Sequence, residues 1–277
     1  MNRWRAAWHS ARLVATLLGS GALACTSETR VSLLDPIVTP KPDAAPDAAP
    51  DASPGNSHLI HRYSFSGDGP QVLDSQGGPE GTLENGAVLD GAGHVVLDGD
   101  DDFVDLPDGL ISSLDSATLI AWLSWNGGPK AWQRVFDFGS NDGDAGDVGN
   151  ATSSVFVTTL HVQKPAGPTG LFETSEGILG AVDSAQPFPV LQNTSIALVL
   201  DPPNHELRLY VAGKRVGADK FTKLSAISDV NDWLGRSQWV QDPTLRGSLD
   251  EFRIYDTALD DDALAAIDAA GADAIIR

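Results

Sequence analysis

Residues 97–107 read LDGDDDFVDLP, and they place a turn rich in glycine and aspartate between two short apolar runs. Glycine accepts positive φ and the aspartate side chain bonds nearby backbone, so both residues favour tight turns. The flanking residues 95–97 and 103–106 are mostly β-branched, aromatic or leucine, which is the composition of a half-buried β-strand. The stretch therefore predicts a strand, a turn and a second strand.

Similar runs recur from residue 58 to residue 277. Apolar and polar side chains alternate over residues 61–65, 154–158 and 207–211, whereas residues 117–123 and 196–200 are almost continuously apolar. Gly, Pro, Asn and Asp separate these runs at intervals typical of an antiparallel sandwich or barrel. No helical stretch is long enough to suggest βαβ units. Residues 58–277 are therefore predicted to form one all-β domain.

One helix is predicted near the C-terminus, at residues 260–271, which read DDDALAAIDAAG. Asp260 is a suitable N-cap, and the aspartates that follow it lie where the helix dipole favours negative charge. Gly271 is a suitable helix stop. Leu264 and Ile267 are expected to pack this helix against the sandwich.

Several segments of the domain follow, in order, the pattern of one family. The central segment, LDGDDDFVDLP, is similar to that family's F-D-G-x-D-D-Y-V-x-V-P, and residues 247–259, GSLDEFRIYDTAL, look like its closing strand. The other matching segments are residues 61–65, 74–75, 81–83, 117–125, 207–213 and 233–237. As a set they resemble LamG-like, concanavalin A-type lectin and glucanase domains. The resemblance implies an antiparallel two-sheet jelly-roll sandwich.

The resemblance also implies a structural calcium ion between the end of the first strand and the Asp-Glu-Phe-Arg strand. By position, the ligands would be Asp68, Asp74 and Asp250. The family often has aspartate where this chain has Ser66, which leaves Asp68 as a displaced substitute. The alternative is that these aspartates only form hydrogen bonds in turns. Residues 193–197, NTSIA, lack the tryptophan and histidine that the family often has there, so its ligand assignment does not transfer.

Two tryptophans are candidates for a ligand-binding face, because exposed aromatic rings pack against the apolar side of sugars. Trp132 and Trp239 both lie among polar loop residues, and packing under a loop is the alternative for each. The loop of residues 141–150 adds Asp142, Asp144 and Asp147, oxygen ligands spaced like part of an EF-hand. No glutamate completes that pattern, and a mobile polar loop is the alternative.

The sequence carries no recognisable catalytic constellation. The Glu-x-Asp-x-x-Glu strand of related glycosidases is absent, as are the Gly-x-Ser-x-Gly and HExxH motifs. Glu173 and Glu176 are expected in a solvated turn, and the adjacent Asp250 and Glu251 point to opposite faces of a strand. The protein is therefore predicted not to be an enzyme.

The N-terminus has the layout of a secretory signal peptide. Arg3, Arg5 and Arg12 precede a short apolar run over residues 13–24, and Cys25, the only cysteine, follows it. Residues 22–25, ALAC, resemble the lipobox of bacterial lipoproteins, which implies cleavage of residues 1–24, lipidation of Cys25 and, with Thr26 after it, the outer membrane. Ordinary cleavage after Ala24 and secretion are the alternative.

Residues 25–57 are predicted to form a disordered, extended linker, because their repeated DAAP units forbid continuous helix or sheet. The net charge of −20 argues against binding to nucleic acid and against binding to anionic lipid through a basic patch. The expected membrane contact is therefore the lipid attached to Cys25. We therefore expect a non-catalytic, envelope-tethered module that binds glycan or a surface protein and is stabilised by calcium. The alternatives are a structural envelope lipoprotein and a diverged glycoside hydrolase.

Overall fold

The computed structural model describes residues 58–144, 146–161 and 167–275, and these form sixteen strands and one α-helix. The strands are β1 (Leu59–Tyr63), β2 (Gln71–Val72), β3 (Gly81–Glu84), β4 (Val88–Leu89), β5 (Val95–Asp98), β6 (Phe103–Leu106), β7 (Ala117–Trp125), β8 (Arg134–Asn141), β9 (Ala151–Thr158), β10 (Thr169–Thr174), β11 (Gly177–Asp183), β12 (Thr194–Asp201), β13 (Glu206–Val211), β14 (Lys214–Lys220), β15 (Asn231–Leu234) and β16 (Arg246–Tyr255). The helix is α1 (Asp261–Ala270). The predicted signal peptide, Cys25 and the linker lie outside the described residues.

The strands form two antiparallel sheets. Sheet A has the order β14-β13-β12-β7-β16-β5-β4, with β1 paired to β16, and sheet B has the order β11-β10-β9-β8-β15-β6-β3-β2. Strands distant in sequence are neighbours in both sheets, as in a jelly roll: β7 lies between β12 and β16, and β15 between β8 and β6. The predicted all-β sandwich with one short C-terminal helix is confirmed.

The main core lies between the two sheets. Phe136 and Phe138 of β8 project from sheet B onto Phe252 of β16 in sheet A, with ring centroids 5.6 and 5.8 Å apart. Val155, Val157 and Phe172 also face inward from sheet B, whereas Leu119, Leu198 and Ile254 face inward from sheet A. Because side chains alternate along a strand, the residues between these positions lie on the outer faces.

The outer face of sheet A is covered by α1, which explains why β7 and β12 are almost continuously apolar. Ile120, Trp122 and Val199 form a second buried cluster with Leu264 and Ile267 of the helix. Asp260 caps the helix by accepting from the backbone N–H of Ala263, and Gly271 ends it at φ 87°. The packing roles predicted for Leu264 and Ile267 are confirmed. No helix in the described part of the chain is both long and apolar enough to cross a membrane.

The outer face of sheet B carries a different set of side chains. Phe156 of β9 lies opposite Leu171 of β10 and Asp137 of β8, and Trp233 of β15 lies opposite Asp137 and Asp105. Residues paired across strands share a face, so these aromatic and acidic side chains form one continuous outer surface. Phe156, Asp137 and Trp233 are nevertheless buried, so other parts of the chain cover much of this face as well.

Candidate functional site

Trp132 and Trp239 line the same cleft on the outer face of sheet B. Trp132 precedes β8 and Trp239 lies between β15 and β16, so the two tryptophans come from different loops. The cleft has a volume of about 290 Å³, near the lower end of the range for small-ligand pockets. Its lining consists of Trp132, Arg134, Phe156, Leu171, Glu173, Ile178, Trp239, Gln241 and Asp242.

The ring of Trp132 is held edge-on by two neighbours. Its centroid lies 4.4 Å from that of His161 and 6.4 Å from that of Phe156, at interplanar angles of 88° and 76°. The backbone of Trp132 has a φ of 69°, a left-handed conformation that costs a bulky residue about 1–3 kcal/mol. The backbone N–H donates to the carbonyl of Leu160, which helps to hold this conformation. Trp132 is half-buried, so part of its ring surface faces the cleft.

Trp239 is held by its indole nitrogen and by the neighbouring backbone. Its Nε1 donates to Oε1 of Glu173 at 2.9 Å, and its backbone N–H donates to Oγ of Ser237. Gly149 forms a parallel bridge with Trp239, and the Val240 N–H donates to the Gly149 carbonyl. The ring is therefore fixed in place while remaining half-buried.

The structure does not place Asp142, Asp144 and Asp147 on the cleft. All three are exposed, and the carboxylate of Asp142 accepts from the backbone N–H and the side-chain amide of Asn150. These hydrogen bonds lower the pKa of Asp142. Asp142 closes the base of its own loop, and that loop contacts the Trp239 segment through Gly149.

A buried ionic network forms the floor between the two tryptophans. The side chain of Arg134 is 1% exposed, and its guanidinium lies 3.7 Å from the ring centre of Phe156. Nε donates to Asp137 at 3.0 Å, Nη2 donates to Asp242 at 2.7 Å, and Nη1 donates to the carbonyl of Trp132. One arginine thus joins β8, the Trp132 loop and the segment that follows Trp239.

Asp137 is fully buried beneath this network. It accepts from the hydroxyl of Ser154 and the backbone N–H of Gln238 as well as from Arg134. Burial raises the pKa of Asp137 to about 6, although Arg134 and the hydrogen bonds oppose that shift. Asp137 lies below the floor and does not line the cleft, so its role here is to orient Arg134.

The sequence-based expectation for Glu173 was wrong. Glu173 lies in β10, opposite Ser154, and only Ser175 and Glu176 form the turn that follows. Its carboxylate reaches the cleft, as does that of Asp242. The alternation in residues 169–174, TGLFET, could have placed Leu171 and Glu173 on one face. Nothing in the sequence pattern joins Asp242 or Arg134 to that face.

The structure does not gather the residues proposed for calcium. Asp74 is buried and accepts from Nδ1 of His61 and from the backbone N–H groups of Arg62 and Gln76. Asp68 is exposed in the loop that follows β1. Asp250 accepts from the amide of Asn193 at a point where the pairing register of β16 shifts.

The three carboxylates are therefore engaged separately, and they do not fit one shared ion. Within the described ranges, the one group of three or more possible ligands whose oxygens all lie within 4.8 Å of one another is Asp98, Asp101 and Asp102. Their hydrogen bonds are those of a turn. Asp98 accepts from the Asp100 N–H, and Asp102 accepts from the Asp98 N–H.

The architecture defines this protein as a jelly-roll sandwich with an aromatic cleft on one sheet. Residues 98–265 match the family model for the concanavalin A-like lectin/glucanases superfamily. The chain belongs to that superfamily, as the LDGDDDFVDLP segment predicted. The comparison with curated proteins found no match.

Several solved structures share the fold. Domain 4 of AbnA, a GH43 extracellular arabinanase from Geobacillus stearothermophilus solved with arabinotriose, is 23% identical, with 76% of this chain and 97% of that chain covered and a TM-score of 0.56. A structure of botulinum neurotoxin type C, whose cell entry depends on two ganglioside molecules, is 10% identical, with 77% and 51% covered and a TM-score of 0.57. Trypanosoma rangeli sialidase in complex with sialic acid is 14% identical, with 76% and 32% covered and a TM-score of 0.51. At these identities the likeness establishes the fold alone.

Proposed function

We propose that this protein is a non-catalytic carbohydrate-binding module and that the cleft between Trp132 and Trp239 is its binding site. The observation that carries the proposal is that two tryptophans from different loops face one cleft beside carboxylates. Aromatic faces pack against the apolar faces of sugar rings, and carboxylate oxygens accept hydrogen bonds from sugar hydroxyls. The exposed side chain of Ile178 adds an apolar wall.

The comparisons support the same class of ligand. The arabinanase domain, 97% of which is covered, was solved with arabinotriose, and the sialidase, 32% of which is covered, was solved with sialic acid. A protein partner or a purely structural envelope role is the alternative that the binding experiment below distinguishes.

A diverged glycoside hydrolase is the second candidate, because Glu173 and Asp242 share one cleft. Hydrolysis needs one carboxyl group as acid and another as base or nucleophile. Here one oxygen of Glu173 is bound by the indole of Trp239, and Asp242 is bound by Arg134 and Ser237. These bonds favour a binding role, in which the carboxylates fix the two aromatic walls.

The test is titration of the purified protein with a panel of plant, bacterial and animal oligosaccharides by calorimetry. We expect Trp132→Ala and Trp239→Ala each to weaken binding by at least about tenfold, since buried aromatic contacts dominate such interfaces. Val240→Ala, next to Trp239 but outside the cleft, is the matched control and should bind normally. Prolonged incubation with each bound sugar should release no reducing ends.

If none of the oligosaccharides binds, the result would contradict the binding proposal and favour a protein partner or a structural role. Binding that survives both tryptophan substitutions would place the site elsewhere. Release of reducing ends that stops in Glu173→Gln would favour the hydrolase.

We also propose that the module is tethered to a bacterial envelope. The support is the sequence of residues 1–57: a basic and apolar leader, a lipobox-like ALAC and a proline-rich linker. Acyl chains on Cys25 would anchor the chain, and residues 25–57 would hold the sandwich away from the membrane. In the expressing bacterium, Cys25→Ser should move the protein from the membrane to the soluble fraction, whereas Ser27→Ala should not. Equal partitioning of Cys25→Ser and the unchanged protein would contradict lipidation.

A further inference from the structure

The positive charge at the cleft is already neutralised by the protein itself. Arg134 is the one cationic side chain in the cleft lining formed by the described residues. Each of its three nitrogens donates to a protein acceptor, and its guanidinium plane is covered by Phe156. A carboxylate on a sugar would need a free guanidinium or ammonium group to offset its loss of hydration. Two of the five N–H groups of Arg134 remain, but the side chain is 1% exposed and its charge already lies between the carboxylates of Asp137 and Asp242.

The negative charge at the cleft, by contrast, is not fully neutralised. Glu173 accepts from Trp239 through Oε1, and its Oε2 has no partner among the described residues. Asp242 accepts from Arg134 and Ser237 through Oδ2, which leaves its Oδ1 without a partner in the same part of the chain. Both groups are acceptors for hydroxyl donors, and both repel an anion. The net charge of −20 adds repulsion at longer range.

We propose that the cleft selects uncharged saccharides and rejects acidic ones, such as those that contain sialic or uronic acid, with Glu173 as a specificity-determining residue. This inference rests on the proposed function. It separates this chain from two of its structural relatives by ligand chemistry: the sialidase was solved with sialic acid and the neurotoxin interacts with gangliosides, whereas the arabinanase domain was solved with the neutral arabinotriose.

The experiment compares matched pairs of ligands that differ in a carboxylate. The pairs are lactose with sialyllactose and galactotriose with trigalacturonic acid, and arabinotriose serves as an additional neutral probe. Affinities are measured by calorimetry with the full chain at low and at physiological salt. We expect the neutral member of a binding pair to bind at least about tenfold more tightly at low salt, and the ratio to narrow as salt screens the charges.

Glu173→Gln is the decisive variant, because its amide oxygen can still accept from the indole of Trp239 while the charge is lost. It should reduce the preference for the neutral sugar by about threefold or more, because the charge that repels the acidic sugar is gone. Glu176→Gln is the matched control. Glu176 lies on the exposed turn three residues further along the chain and does not line the cleft, so the preference should not change.

The outcomes separate the two proposals. If no saccharide binds, the proposed function fails and the selectivity falls with it. If acidic sugars bind as tightly as neutral ones or more tightly, and Trp239→Ala abolishes that binding, the binding site stands and the selectivity is overturned. If the preference is unchanged in Glu173→Gln, Glu173 is not its source.

Discussion

Arg134 is the residue on which the geometry of the cleft depends. Its guanidinium links Asp137 beneath the floor, Asp242 on the rim and the carbonyl of Trp132. Withdrawing a guanidinium and a carboxylate from water is costly, and the cost is offset only when the remaining hydrogen-bonding positions are filled. Phe156 and Ser154 complete that environment. The network therefore connects the Trp132 loop to the segment that follows Trp239.

Removing the charge of Arg134 alone should destabilise the fold more than removing the charges of Arg134 and Asp137 together. Arg134→Met leaves Asp137 buried without its cation, so we expect the free energy of unfolding to fall by about 3–5 kcal/mol. The double variant Arg134→Met with Asp137→Asn should recover part of that loss, because the stranded charge is gone. Urea denaturation monitored by tryptophan fluorescence measures both.

Arg215→Met is the matched control for this prediction. Arg215 pairs with Asp261 at 3.1 Å, but both side chains are substantially exposed, so the loss should stay below about 1 kcal/mol. If Arg134→Met costs no more than Arg215→Met, the buried network does not stabilise the fold.

At the scale of strands and helices, sequence patterns that involve only neighbouring residues correctly predicted where these elements lie. The helix expected at residues 260–271 is α1, Asp261–Ala270, because an N-cap and a terminal glycine are local signals. The almost continuously apolar residues 117–123 and 196–200 lie in β7 and β12, which are buried on both faces because α1 packs on the outer face of sheet A. The LDGDDDFVDLP segment forms β5, a turn and β6.

The candidate site was only partly predictable from sequence, because it depends on strand register. Trp132 and Trp239 could be singled out by their polar surroundings. Their meeting with Glu173 requires β8, β9 and β10 to pair in a particular register, and β8 has irregular register after Arg134. The separation of Asp68, Asp74 and Asp250 was not predictable either, because family position does not reveal the hydrogen bonds that engage Asp74 and Asp250.

Across the whole molecule, acidic groups dominate and several of them are buried. Burial raises the pKa of Asp137 to about 6, that of Asp232 well above its usual value and that of Glu251 to a smaller extent. Asp232 accepts from the backbone N–H of Leu110 through one oxygen, and its other oxygen has no partner among the described residues. Nearby Asp229 raises the pKa of Asp232 further.

These shifts determine how stability should depend on pH. A carboxyl group whose pKa is higher in the folded state binds its proton more tightly there. Its contribution to the free energy of unfolding is complete below the unfolded pKa of about 3.9, and this contribution is lost as pH rises through the folded pKa. For Asp137 that window runs from about pH 4 to 6, and for Asp232 it ends at a folded pKa that burial and Asp229 raise well above the usual value. The exposed Asp90 and Asp142 have lowered pKa values, which favour higher stability at higher pH. Solvent screening weakens their effect on stability.

The melting temperature should therefore be higher at pH 5 than at pH 7.5, by at least the roughly 3–5 °C that Asp137 alone would give in a domain of this size. Asp232→Asn should flatten this dependence by stabilising the protein at pH 7.5 with little effect at pH 5, since the amide still accepts from Leu110 but cannot ionise. Asp144→Asn, which removes an exposed charge, is the control and should leave the difference unchanged. Thermal unfolding followed by circular dichroism at constant ionic strength measures all three proteins. A melting temperature that rises from pH 5 to pH 7.5 would contradict this prediction. It would mean that carboxylates with lowered pKa values control the stability of the sandwich, rather than buried carboxylates with raised pKa values.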